Sequence, residues 1–241
     1  MTKGTEEKPL YLGHRARLKE RFMVDEGASM PDYELLELLL TMAIPRKDVK
    51  PLAKKLISKF GDIGSVIKAP AQELLAKADL SPNALVLLKI VSTCILRSTG
   101  AVFEDANENI IRCWDQFEDY CRQLMGYKEI EEFRVFFFDD NWCYKGNKLL
   151  STGTINKAVI HPREILRTAI NKKSTFIILA HNHPSGNCKP SQADLNITKE
   201  ICEFCKMMEL EVLDHVIVTK YDLFSFKNAG LIPPIKKDDK I

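Results

Sequence analysis

The sequence predicts an α/β protein in which a small helical domain precedes an α/β sandwich. Three observations carry this expectation. Apolar stripes with helical spacing fill the first hundred residues, with no alternating segment among them. After a polar stretch, strand-like runs appear for the first time at residues 133–138 (FRVFFF) and 175–180 (TFIILA). Helical stripes then alternate with those runs, the order that builds a sheet covered by helices.

In the first half, Asp32 is placed to cap a helix after Met30 and Pro31. Tyr33, Leu35, Leu36, Leu38, Leu39 and Leu40 follow as a largely buried run, and Pro45 ends it. Pro51 suits the first turn of the next helix, where Leu52, Leu56, Ile57 and Phe60 share a stripe and Gly61 closes it. A third helix runs from Pro70 through Glu73, Leu74, Leu75 and Ala78. A fourth starts after Ser81 and Pro82 and carries Leu85, Leu88, Ile90, Val91 and Ile95. Together they make a helical domain over residues 1–100. Residues 101–112, polar and aperiodic, are expected to be a linker.

The second domain is expected over residues 113–231, with a tail at 232–241. Residues 115–127 can form a helix. The buried strand at 133–138 is bounded by Asp139, Asp140 and Asn141, and residues 148–155 (KLLSTGTI) form a second strand. His161 and Pro162 open a helix with Ile165, Leu166, Ala169 and Ile170 on one face. The apolar strand at 175–180 is central. Ser191 opens a helix whose apolar side is Ile197, Ile201, Phe204, Cys205 and Met208, followed by a strand at 212–218 and a hairpin partner at 221–226.

Composition narrows the function class. Hydrophobic residues make up 45% and charged residues 28% of the 241, which excludes wholesale disorder. Lys+Arg 35 against Asp+Glu 33 leaves a net +2, so bulk charge selects neither nucleic acid nor an anionic membrane. No apolar run nears the ~20 residues that span a bilayer, and MTKGTEEKPL lacks the apolar core of a signal peptide. Seven cysteines, an odd number without framework spacing, fit reduced thiols in a cytoplasm and no membrane association.

The chemistry concentrates in His181-Asn182-His183-Pro184-Ser185-Gly186, directly after the central strand. Histidines at i and i+2 as a strand ends aim their imidazoles at one point, and Pro184 and Gly186 supply the turn. Asp194 follows in the first turn of the next helix, from which its carboxylate can fold back towards the histidines. Two neutral imidazoles and a carboxylate suit catalytic zinc with a fourth position open for water, whose pKa zinc lowers to about 7. Ser191-Gln192-Ala193-Asp194 is also a capping-box pattern, and both roles can coexist.

HNHPSGNCKPSQAD at 181–194 resembles the HxHx7Sx2D core of the JAB/MPN (JAMM) metalloproteases. With HPRE at 161–164, LDH at 213–215 and FSF at 224–226, it resembles the RadC family in particular. GHRARLKERF at 13–22, DYELLELLL at 32–40 and IPRKDVKPLAKKL at 44–56 resemble that family's helix-hairpin-helix-like N-terminal domain. The resemblance implies a JAB/MPN-type, cytidine-deaminase-like α/β sandwich. It further implies Zn2+ held by His181, His183 and Asp194, with Ser191 polarising or steadying a tetrahedral intermediate. The family's general base lies at the start of the domain's first strand, and Glu131 before Phe133 matches it, with Glu164 as a second candidate. The implied reaction is hydrolysis of a peptide or isopeptide bond in a peptide or protein substrate.

Two other functions compete: a DNA repair or recombination factor, and a non-catalytic JAB/MPN scaffold. Arg46, Lys47, Lys50, Lys54, Lys55 and Lys59 form a basic run that can touch DNA phosphates weakly and without sequence preference. The family's glycine hairpin, however, reads Lys77 to Ala84 (KADLSPNA) here, with both glycines missing and Pro82 removing a donor. Cys202 and Cys205 lie on an amphipathic helix and are expected to be core thiols. Cys188 is expected to be a loop residue, His215 a hydrogen-bonded core histidine and His14 a surface residue.

Overall fold

Residues 10–104, 110, 113–153 and 161–232 are described by a computed structural model. The chain divides into two units, Met1–Cys94 and Ile95–Ile241. The first contains α1 (Leu10–Asp25), α2 (Asp32–Ala43), α3 (Lys50–Phe60), α4 (Ile63–Lys68), α5 (Ala71–Lys77) and the opening turns of α6 (Pro82–Glu104). Leu36 and Leu40 of α2, one turn apart, pack with Ala53, Leu56 and Phe60 of α3 and with Leu74 and Leu88. Gly61 ends α3 with φ at 97°, a region that glycine enters without steric cost.

Several details depart from the expectations. Pro31, not Asp32, is the residue before α2, and it makes no side-chain cap. Asp32 Oδ2 instead accepts the main-chain N–H of Ile63 at 2.9 Å, so its charge serves the start of α4, which Asp62 also caps. The expected linker at 101–112 is helical through Glu104, because α6 continues past the polar boundary; its remaining residues, Ile110 excepted, lie outside the described ones. Contrary to the expectation that no apolar run nears a spanning length, α6 over Pro82–Gly100 is long and apolar enough by length and composition to cross a bilayer, although Lys89 and Arg97 punctuate it. Ala84 and Leu88 spend part of that apolar surface on the core, while Val86 and Ile90 are exposed.

The second unit builds on α7 (Trp114–Met125), β1 (Glu132–Phe138), β2 (Tyr144–Thr152), α8 (Pro162–Lys172), β3 (Phe176–Asn182), α9 (Gln192–Met207), β4 (Glu211–Val218) and β5 (Leu223–Ser225). The sheet order is β2-β1-β3-β4-β5, with β3 central as expected. Only β3 and β4 run parallel, joined by α9 as the crossover. Strand alternation sorts the core into two faces. Ile177 and Leu179 pack with Ile165 and Ala169 of α8 and Ile201 and Cys205 of α9. Ile178 and Ala180 pack with Phe117, Cys121 and Met125 of α7. The result is the predicted α/β sandwich, helices on both faces of a mixed sheet.

β2 begins at Tyr144, earlier than the expected 148, because Asp139 Oδ1 accepts the N–H groups of Asn141 and Cys143 and tightens the turn. The end of that expected strand, from 154 on, lies outside the described residues. In β4 the register with β3 slips between Ile177 and Ile178, whose partners are Val212 and Asp214. Leu213, next after Val212, takes the α7 face by ordinary alternation, and the extra residue then reverses the pattern, so that His215 reaches the ring of Phe133 on the other.

Candidate metal centre

β3 carries the first histidine to its own end. His181 lies opposite Phe133 of β1 and Ile217 of β4 and is fully buried. The ladder holds one residue further, where the N–H of His183 donates to the carbonyl of Val218 at 3.0 Å. The chain then turns through Pro184 and Ser185, and Gly186, with φ at 80°, returns its N–H to the carbonyl of His183 at 3.1 Å. Period-two alternation puts His181 and His183 on one side of the sheet.

The third member arrives through the helix start. Ser191 is the cap of α9, and its capping box with Asp194 is complete in both directions. Ser191 Oγ donates to Asp194 Oδ2 at 2.6 Å, and the N–H of Ser191 donates to the same oxygen at 2.7 Å. These bonds fold the carboxylate back over the loop, with Oδ1 3.2 Å from His181 Nε2 and Oδ2 3.5 Å from His183 Nε2. The two Nε2 atoms are 3.0 Å apart. One ligand atom from each of His181, His183 and Asp194 falls within 4.8 Å of the others, so the group could hold a metal ion.

The proton inventory fits a cation. The carbonyl of Asn187 can only accept, so at 2.7 Å His183 Nδ1 is its donor, and the lone pair of His183 lies on Nε2. That lone pair faces a buried carboxylate and a second imidazole nitrogen, an arrangement that repels itself unless a proton or a metal sits between them. The electrostatics match. Burial alone would raise the Asp194 carboxyl, but the facing imidazoles of His181 and His183 and the Ser191 hydroxyl hold it well below the usual carboxylate range. Burial lowers His181, whereas the Asp194 carboxylate facing the ring outweighs burial and raises His183. Two imidazoles and a carboxylate make a donor set suited to a borderline ion such as zinc.

Glu131 stands just before β1, half-buried, with its carbonyl accepting the N–H of Gly153 at 2.8 Å. Its negative charge is a minor influence on His181 and His183 beside burial and Asp194. Glu164 is engaged elsewhere, 3.0 Å from Lys148 Nζ and 3.2 Å from Arg167, and Lys148 lowers its pKa. Cys188 packs against the core and is not in the metal-ligating group. Cys202 and Cys205 pack there too, their thiols pushed up by burial to about 11 and about 12.

Two residues near the centre carried little sequence signal. Thr198 lies one helical turn after Asp194, and its hydroxyl meets His215 Nδ1 at 2.6 Å. His215 is fully buried and hydrogen-bonded, as expected of a core histidine, but its partner at 2.8 Å is His181 Nδ1. His14, expected on the surface, pairs instead with the buried Glu37 at 2.9 Å.

In the helical unit, Arg46, Lys47, Lys54, Lys55 and Lys59 are exposed and Lys50 is half-buried. The Lys77 to Ala84 connection commits several of its main-chain donors internally: Ala78 N–H to Leu74, Leu80 N–H to Ala78 and Ala84 N–H to Ser81 Oγ. Lys59 Nζ occupies the Lys77 carbonyl.

Comparison with known proteins agrees with this geometry. The chain matches the RadC-like JAB domain over residues 111–231. A UPF0758 protein of Ruegeria pomeroyi is 38% identical over 225 residues, covering 93% of this chain and 100% of the relative, so the similarity takes in the helical unit as well. His181, His183 and Asp194 all lie inside the matched domain. With a mixed sheet, a histidine pair ending its central strand and a relative alike along nearly all its length, the chain belongs to the RadC family.

Proposed function

We propose that this chain is a zinc-dependent hydrolase that cleaves a peptide or isopeptide bond in a protein or peptide substrate. The observation that carries this function is the convergence of His181, His183 and Asp194 within 4.8 Å. His181, His183 and Asp194 would hold the ion. Zinc supplies Lewis acidity and a hydrolytic water acidified to a pKa near ~7. Glu131 takes a proton from that water and returns it to the departing amine, the two halves of general acid–base catalysis. Ser191 gives its hydroxyl proton to Asp194 Oδ2, so its first effect is on the ligand carboxylate. Turning that proton towards a carbonyl oxygen of the substrate would exchange one charge-assisted bond for another at the developing oxyanion.

The test is hydrolysis of a panel of peptides and isopeptide-linked conjugates, with and without a chelator. Activity that the chelator removes, zinc restores and Glu131→Gln lacks supports the assignment. Activity indifferent to both overturns it. Seven free thiols are consistent with a reducing compartment such as the cytoplasm as the setting of the reaction.

The exposed Arg46, Lys47, Lys54 and Lys55 favour a second, subordinate function, weak non-specific DNA contact through phosphates with Lys50 at its edge. The committed donors of the Lys77 to Ala84 connection argue against a hairpin mode. A gel shift lost steeply with added salt, and weakened by Lys54→Ala with Lys55→Ala, would support it.

A further inference from the structure

A chain of hydrogen bonds leaves the centre from one ligand and returns to another. His181 Nδ1 lies 2.8 Å from His215 Nε2, and His215 Nδ1 lies 2.6 Å from Thr198 Oγ1. The Thr198 hydroxyl donates to the main-chain carbonyl of Asp194, one turn earlier in α9. Each partner is buried. The β4 bulge turns His215 to this side of the sheet, where the rings of Phe133 and Phe226 enclose it.

The direction of each bond follows from the end that has no choice. A carbonyl oxygen has no proton, so Thr198 must donate to Asp194; a threonine hydroxyl in a helix commonly bonds back to the i−4 carbonyl in this way. Were the proton turned to His215 instead, two oxygens would face each other through lone pairs. With its one proton spent, Thr198 Oγ1 accepts from His215 Nδ1–H. A fully buried imidazole between two phenylalanine rings holds one ring proton, so His215 Nε2 carries a lone pair and accepts from His181 Nδ1–H. His181 is then left with a bare Nε2, the atom that faces Asp194 and His183.

We infer that Thr198 and His215 are positioning residues that fix His181 in the Nδ1–H tautomer and so present its Nε2 as a ligand before any metal arrives. The inference deepens the proposed function and rests on it for the identity of the ion. Neither residue belongs to the metal-ligating group itself. Partners of this kind, behind the ligands, set ring orientation and basicity, and their loss costs about 10–100-fold in metal affinity.

The experiment has two readings on the full chain. Long-range proton–nitrogen NMR of the metal-free protein reports the His181 tautomer, and competition with a chromophoric chelator reports zinc affinity. The wild type should show His181 protonated at Nδ1. His215→Phe, which keeps a buried ring but removes the acceptor, should populate the other tautomer and weaken zinc about 10–100-fold. His215→Gln, which returns an acceptor oxygen near the Nε2 position, should recover most of that affinity, as a purely space-filling role would not. Thr198→Val should weaken zinc in the same direction and serves if His215→Phe does not fold. His181 protonated at Nε2 in the metal-free wild type overturns the inference, as does unchanged zinc affinity in a folded His215→Phe or Thr198→Val. Should the chain bind no zinc at all, the proposed function fails, while the tautomer still decides the hydrogen-bond chain.

Discussion

Asn182 Oδ1 accepts the main-chain N–H of Glu132 at 2.7 Å, and its Nδ2 donates to the carbonyl of Ile130 at 3.2 Å. The residue between His181 and His183 thus points to the other side of the strand and grips the main chain on both sides of Glu131. Asn182→Ala should strand the Glu132 N–H and destabilise the fold by about 1–3 kcal/mol. It should also lower kcat while leaving zinc content near the wild-type value, since no ligand is touched. Loss of zinc in a folded Asn182→Ala would show that the grip supports the ligands instead.

Ser191 combines two jobs in one hydroxyl, capping α9 and holding Asp194. Ser191→Ala should cost about 1 kcal/mol of stability from the cap alone, read from the denaturant midpoint. It should also weaken zinc, because Asp194 Oδ2 loses a 2.6 Å partner. Ser191→Thr, which retains the oxygen, should retain both.

The metal-free protein should lose stability as the pH falls below about 6.5, in proportion to its depressed histidines. Burial holds His181 and His215 below the ordinary value of 6.5, so the unfolded chain takes up protons there that the folded chain refuses. Their contribution is complete above 6.5 and is lost as the pH falls towards the folded values. His183 works in the opposite sense. Raised by Asp194, it stabilises the fold below 6.5 and loses that contribution as the pH rises through its folded value. Urea midpoints at pH 7.5 and 5.5 measure the balance, and His215→Phe should shrink the loss at the lower pH. An unchanged loss would mean that His215 does not contribute.

Thiol reactivity gives an independent check on the core. Cys202 and Cys205, raised by burial to about 11 and about 12, should label slowly with a thiol reagent at pH 8, whereas the exposed Cys94 should label first. Rapid labelling of the pair in the folded protein would contradict their place in the core.

The parts of the fold visible in the sequence are those written in apolar periodicity. FRVFFF and TFIILA became β1 and β3 because a strand buried on both faces has little room for polar residues. α1 and α4 were not visible. Leu18 is the one fully buried residue within the described side chains of α1, and α4 is a six-residue helix, too short to show a stripe. The grouping of His181, His183 and Asp194 was legible because the chain itself brings them together, through a strand end, a turn and a helix cap. The partnership of His215 with His181 was not, since it depends on a one-residue bulge in β4 and on the pairing of strands 34 positions apart. Asp32 shows the same limit: its pattern is that of a cap, but the helix it serves begins at Ile63.

The most direct test of the central claim is metal content by elemental analysis of the wild type beside His183→Ala and Glu131→Gln. About one zinc per chain in the wild type, lost from His183→Ala and kept by Glu131→Gln, is the predicted result. A wild type that takes up no zinc after reconstitution, while still folded, would contradict the metal centre and with it the proposed hydrolysis.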